Sequence, residues 1–419
     1  MAAAAASDPG TASQSQAQTG VRGLLGAIGV DARVFAMIAA LLVIWLGFHL
    51  LTDGLFLTPR NLWNLAVQTS VVGILATGMV LVIVARHIDL SVGSVLGFIG
   101  MTAAVFQVTL FEPGVWWNTP ATILIALAAG AAIGAFQGYW VAYRLVPAFI
   151  VTLAGLLMFR GGAWLLTSGR TLAPMEPNFQ VLGGGITGAI GAPASWVLGL
   201  LASAVMVIAA WRARTRRQRF GFPVRPVWGE AVRLGLWVSV ILGFVATMNA
   251  YPQPRTGIPM GIPVPVLILI AIVLVMEAMT RTTAFGRYIY AMGGNPEAAR
   301  LSGVDTRKVT LLLFVLMGVL AAIAGIIATA RLNAGANATG ELAELSVIAA
   351  AVIGGTSLAG GVGTIAGAIL GAVIMQSLQN GMVLMGLPSA LQNVIIGAVL
   401  ILAVWLDVSY RRRLKGGGA

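Results

Sequence analysis

Cysteine is absent from this chain of 419 residues, which excludes disulfides and thiolate metal sites. Histidine occurs twice, as His49 and His87. The first falls near the outer end of one apolar run and the second just past the inner end of the next, so they make no shared metal site and read as polar residues at a membrane interface. Lysine is equally scarce. Lys308 and Lys415 are the two present, and neither stands in a G-x-x-x-x-G-K-[ST] sequence, so no phosphate-cradling loop is encoded. Nothing in the chain supports an enzyme that hydrolyses a nucleotide by itself, and no cofactor or metal is expected. The largest deficit is charge: Asp, Glu, Lys and Arg make up 9% of the residues, where a soluble domain carries about 25%.

What fills the space is apolar, at 58% of the residues. A membrane-spanning helix needs roughly 20 mostly apolar residues, and the pattern predicts an all-α polytopic membrane protein of about 10–12 transmembrane helices. Twelve candidate runs can be placed: 34–52, 65–85, 90–110, 120–142, 147–167, 194–211, 231–249, 263–280, 309–330, 344–357, 364–385 and 388–407. The run 344–357 is the shortest and is expected to be a broken or re-entrant helix, which a membrane accepts only where protein or water covers the backbone. Residues 1–30 form the N-terminal region; the first 20, rich in Ala, Ser and Gln, have neither the basic nor the apolar stretch of a signal peptide and read as a disordered tail. Residues 31–410 are the membrane domain and 411–419 a C-terminal tail.

A formal net charge of +12 would suit a nucleic-acid partner if the basic residues shared one soluble face. Instead they alternate with the predicted spans, and no nucleic acid is expected. With the N-terminus in the cytoplasm, 20 of the 25 Lys and Arg residues fall in inside segments, including seven arginines over 212–233 and five cations over 281–308. Outside segments hold Arg60, Arg170, Arg255 and Arg331, and Arg160 lies within a span. The positive-inside rule therefore places both termini in the cytoplasm. The arginine-rich loop 212–233 reads as a topology anchor that could also touch anionic lipid heads or a partner protein.

Glycines recur every fourth residue at Gly130, Gly134 and Gly138, at Gly363, Gly367 and Gly371, and at Gly93 and Gly97. Such spacing puts small residues on one helix face and lets backbones approach closely. Gly354, Gly355, Gly360 and Gly361 cluster where the span is short, and a helix break lining a pathway is the alternative for them.

The polar island GGNPEAARLSGVDTRK, Gly293 to Lys308, stands between two apolar runs. Asn295 is a good N-cap, Pro296 suits the first helical position, Glu297 puts negative charge at the positive end of the dipole, and Gly303 can close the far end. The result is a helix of about seven residues, too short to be stable in water alone. It needs support from its own spans or from a partner.

The stretch GRYIYAMGGNPEAARLSGV, Gly286 to Val304, resembles the coupling loop of binding-protein-dependent ABC sugar permeases of the ribose and xylose type. Three further stretches resemble that family in the same order: HIDLSVGSVLG from His87, VPAFIVTLAGLLMFRGGAWLLTSGRT from Val146, and AVIGGTSLAGGVGTIAGAILGAVIMQSLQNGM from Ala351. The resemblance implies an ABC importer permease fold with broken helices, paired with an ABC ATPase subunit, a periplasmic sugar-binding protein and a second copy of itself in the bacterial inner membrane. It also implies that Gly294, Asn295, Pro296, Glu297, Ala298, Ala299, Arg300 and Gly303 meet the ATPase. Ribose-type permeases have ten spans, and the extra pair at about 194–249 looks more like the longer xylose type.

Two other classes remain in view. A proton- or sodium-coupled carrier would place ionisable groups deep in its spans, but Asp89, Glu277, Glu344 and Asp407 all fall at or beside predicted span ends, where water is close. Glu277 can pair with Arg281 one turn away, Asp89 can cap the helix after it, and Arg160 is expected to bond backbone carbonyls. A passive channel would have no use for a capped coupling helix. For a neutral sugar the candidate lining is amide: Asn333, Gln376, Gln379, Asn380, Gln392 and Asn393, with Gln68, Gln107 and Gln137 earlier in the chain. Each of these amides can equally serve as interhelical glue.

Overall fold

The computed structural model describes residues 32–416 apart from 223, 225 and 255; the tail read over 1–30 lies outside the described residues. The described elements are helical. The principal ones, in order, are α1 Ala32–Leu51, α2 Pro59–Val84, α3 Val92–Val105, α4 Asn118–Ala142, α5 Ala148–Thr167, α6 Gly191–Arg219, α7 Val227–Asn249, α8 Val264–Thr282, α9 Ala284–Gly294, α10 Pro296–Leu301, α11 Thr306–Leu332, α12 Ala343–Ile353, α13 Ile365–Leu384 and α14 Ser389–Gly416, with a short helical turn Pro177–Gln180 and a 3-10 turn Val181–Gly183 between α5 and α6. Ten of them are long and apolar enough to cross a membrane: α1 to α8, α11 and α13, with α3 prolonged by a π-helical turn to Leu110.

The short run does break. Helix α12 has 11 residues, which at about 1.5 Å per residue is roughly half a bilayer crossing. It starts after an irregular segment over 333–342 and stops where Gly355 takes φ +92°. The arginine-rich stretch differs from the loop expected over 212–233. α6 continues to Arg219 and α7 begins at Val227, leaving a link of seven residues. Arginine is a good helix former, so the apolar helix simply continues past its apolar part.

Helix α2 is the centre of the bundle. Nearly every residue from Trp63 to Val84 is buried or half-buried, and it packs on α8, α11, α12 and α13. The most extensive pairing is α4 with α11, and glycine explains it. Gly130 and Gly318 face each other so closely that a Cβ on either would collide with the carbonyl oxygen of the other, and a Cβ at Gly134 would strike the Phe314 carbonyl. A second seam joins α12 to α13, where Gly354 meets Gly367 and Gly371 meets the Ala350 carbonyl. Of the triplet expected on one face of α13, Gly363 lies outside the helix, ahead of the N-cap Thr364, whose hydroxyl accepts from Gly367 N at 3.1 Å.

Without a hydrophobic drive between helices in lipid, such seams hold by close packing. Gly134→Leu should therefore lower thermal stability in detergent by several degrees or abolish folded protein, overpacking costing about 1–3 kcal/mol or more. Gly235→Leu, at a helical glycine with nothing within 4 Å of its would-be Cβ, should leave the melting temperature almost unchanged.

Candidate functional site

The polar island folds as two helices meeting at Asn295. α10 is six residues long and capped at both ends. The Asn295 side chain accepts from Ala298 N at 3.1 Å. At the other end Gly303 takes φ +85°, Gly303 N donates to Arg300 O at 3.0 Å and Val304 N to Ala299 O at 3.1 Å. That pair of bonds is a Schellman closure, which meets carbonyls that a helix end otherwise leaves bare. Glu297 and Arg300 pair at 2.8 Å on the exposed side. Ala299 alone in the helix is buried, and Leu301 at 79% exposure is its most open apolar residue.

Support for so short a helix comes from the end of α2. Arg86 sits just past that end with φ +66°. Its Nε donates to Gly293 O at 2.8 Å and its Nη2 to Gly294 O at 2.8 Å. Gly293 rests against the backbone itself: a Cβ there would collide with Val84 O and Gly361 N. Gly361 N in turn donates to Val84 O at 2.9 Å, and the Tyr290 hydroxyl donates to Gly363 O at 2.8 Å. Burial, and after it the Glu277 carboxylate, raises the Tyr290 phenol above its ordinary pKa, so it stays a donor. The Gly360–Gly363 turn thus packs on the α9–α10 junction and on α2, in place of the pathway considered for it. A recess of about 600 Å³ beside α10 is lined by Arg86, His87, Pro296, Glu297, Arg300 and Arg307, among others.

The amides divide into two groups. Gln376, Gln379 and Asn393 line one cavity of about 390 Å³ between α2, α11, α12, α13 and α14, with Gln68, Ser346, Arg331 and Glu341. Gln376 donates to Gln379 at 2.6 Å, and Gln379 to Ser346 Oγ at 2.9 Å, a chain with exchangeable hydroxyl and amide partners. The others are engaged elsewhere. Asn333 takes the left-handed position at the end of α11 and accepts from Met175 N at 2.8 Å. Asn380 accepts from Asn61 at 2.8 Å, tying α13 to α2, and Gln392 donates to Leu387 O within its own helix start. Gln107 bonds Asn118 and Thr122, and Gln137 bonds Ser91.

The acids are less wet than their positions in the sequence imply. Asp89 is 2% exposed; its Oδ1 accepts from Ser91 N at 2.8 Å and from the Ser91 hydroxyl at 2.7 Å. It orders the turn ahead of α3 instead of capping the helix, because Ser91 stands between. Burial raises its pKa and the Ser91 bonds oppose the rise. Glu344 is also buried. Glu277 does pair with Arg281, at 2.6 Å. Arg160 bonds two carbonyls, Asn337 O at 2.8 Å and Thr339 O at 3.1 Å. Near the link between α6 and α7, Arg214 pairs with Glu230, and Arg216 and Arg217 lie beside the exposed Phe220 and Phe222.

Arg86, Tyr290 and the Gly360–Gly363 turn were not singled out as contacts of the island. Arg86 precedes Gly293 by 207 positions, and a lone arginine after an apolar run carries no sign in the sequence beyond topology.

Residues 61–404 match the family described as branched-chain amino acid transport system / permease component. The xylose transport system permease protein XylH of Escherichia coli (strain K12) is 44% identical over 93% of this chain and 95% of its own length. XylH of Haemophilus influenzae is 42% identical over 92% of this chain and 98% of its own length. The ribose import permease protein RbsC of E. coli (strain K12) is 35% identical over 84% and 87%. No solved structure matches the chain. A whole-length match to permeases, carried on an all-helical bundle with a clasped, double-capped polar helix and no phosphate loop, leaves one reading: this chain is a multi-pass membrane permease and belongs to the transport-system permease-component family.

Proposed function

We propose that the chain is the membrane-spanning subunit of an ATP-driven importer that moves D-xylose handed over by a periplasmic binding protein. Two copies, each offering one α10, pair with two ATPase domains, and both termini lie in the cytoplasm. The observation that carries this reading is the clasp on α10. A six-residue helix exposed through Glu297, Arg300 and Leu301 is joined through Arg86 and Gly293 to the end of the central helix α2. A push on α10 from an ATPase groove therefore reaches α2 and, through Gly361 and Tyr290, the turn between α12 and α13. Higher identity to xylose permeases than to ribose permeases favours the pentose named; ribose is the alternative. Arg216 and Arg217 in the last turn of α6, with Phe220 and Phe222 just after it, would sit at anionic lipid heads, each arginine contributing about 1 kcal/mol.

Ala299 N donates to Asn295 O, so Ala299→Pro removes that bond and should break α10, at a cost of about 3 kcal/mol or more. The expected result is normal membrane insertion, with co-purification of the ATPase and sugar uptake both reduced at least tenfold. Wild-type uptake by this variant would overturn the docking role. Arg86→Ala should act differently: the ATPase stays bound and hydrolyses ATP, while uptake falls about tenfold, since two charge-assisted bonds of about 1.5–3 kcal/mol each are lost from the lever. Replacing Gln376 and Gln379 together with Leu should raise the KM for D-xylose in vesicles holding the whole complex and leave basal ATP hydrolysis as it was.

A further inference from the structure

The irregular segment between α11 and α12 runs backbone-first along the glycine face of α3. Gly335 lies over Gly100 and Ala104, the Thr339 carbonyl over Gly97, and Gly340 against Gly93. At Gly93 and Gly97 the two backbones meet with no α3 side chain between them, while Leu96, Met101 and Ala104 touch the segment to either side. Along the same seam, and among the described residues, four buried side-chain oxygens have no hydrogen-bond partner: Thr329 Oγ1, Asn337 Oδ1, Thr339 Oγ1 and Glu344 Oε2. Thr329, Thr339 and Glu344 are 0%, 8% and 6% exposed, and Asn337 is half-buried. Two of them are aimed at α3, since a Cβ at Gly100 would meet Thr329 Oγ1 first and a Cβ at Gly93 would meet Glu344 Oε2. Buried polar atoms are nearly always matched, so an unmatched set gathered on one seam marks a place built to meet hydroxyl groups.

The seam adjoins the cavity already described, which Leu96, Thr339, Gly340 and Ala343 help to line. Two ties from outside hold it shut: Arg160 Nη1 donates to both Asn337 O and Thr339 O, and Leu172 exchanges two backbone bonds with Gly335.

We infer that the glycine face of α3, with Thr329, Thr339 and Glu344, forms a deep hydroxyl-binding subsite for a neutral monosaccharide, exposed when the segment after Gly335 lifts from α3. This rests on the reading of the chain as a sugar permease and adds to it where the sugar is held. The flat C–H face of a sugar ring suits a helix surface lined mainly by Gly93, Gly97, Gly100 and Ala104. Its hydroxyls donate to Glu344 Oε2 and exchange bonds with the two threonine hydroxyls. The closed seam leaves these groups unmatched and the opened one lets sugar match them, so the sugar itself favours opening. Contact through glycine leaves few interlocking side chains to disengage, and the segment beyond the Leu172–Gly335 pairing can part from α3.

The test uses the whole transporter in vesicles, with D-xylose and its monodeoxy analogues as probes. Comparing variant with wild type, analogue by analogue, cancels the selectivity of the binding protein. Thr339→Val should slow D-xylose about tenfold, as expected of a site built around a hydroxyl, yet carry one monodeoxy analogue as fast as wild type does. Thr339→Ser should restore D-xylose transport. Glu344→Gln should show the same selective pattern at a different deoxy position. Equal slowing of every analogue in both variants, or no slowing of any, overturns the subsite while leaving the permease reading intact. If wild-type protein carries no neutral monosaccharide, the permease reading falls and the subsite falls with it.

Discussion

The contact on which the rest depends is backbone to backbone: Gly293 laid on the Val84 carbonyl, with Arg86 closing over it. A helix of six residues has no cooperative stability of its own. It becomes a rigid part by being joined to the most enclosed helix of the bundle through bonds that tolerate no side chain at the junction. One arginine in the left-handed region supplies two of those bonds. Its backbone conformation is disfavoured for a bulky residue, and it is the sort of local cost that a structure retains where geometry matters.

From that junction the connections run inward. Gly361 and Tyr290 bring in the turn ahead of α13, and the glycine seam between α12 and α13 carries the same rigid unit to the cavity where Gln379 bonds Ser346. On the other side, α4 and α11 are locked through Gly130, Gly134 and Gly318. In lipid, where apolar surface gains little by leaving its surroundings, close approach is what makes two helices move as one body. The bundle thus has stiff pairs and, along α3, one long contact between a helix and a segment without regular structure, held by Arg160 and Leu172.

Much of this was legible in the chain. The all-helical membrane class followed from the scarcity of charge, and the caps of α10 from Asn295, Pro296 and Gly303, because capping is decided within four or five residues. The break near Gly354 was visible as an apolar run too short to span. The expected extent of the arginine loop was wrong for a simple reason: hydropathy marks where lipid ends, whereas the helix of α6 ends where its backbone bonds stop, at Arg219. Asp89 was read as wet from its place beside a span end, but its burial is decided by helices far away in sequence.

The amides show the same division. Composition and spacing cannot separate an asparagine that ties α13 to α2, as Asn380 does with Asn61, from a glutamine facing a cavity, as Gln376 does. Local periodicity, capping and charge placement are short-range properties, so the sequence by itself determined the class of protein, the places of its apolar runs and the identity of its polar island. Which distant residues clasp that island, which amides face the cavity, and which buried oxygens lie along α3 depend on contacts between residues far apart in the chain, such as Arg86 with Gly293, 207 positions away, and Asn61 with Asn380, 319 away. Those are set by how the spans pack, and the tertiary structure alone decided them.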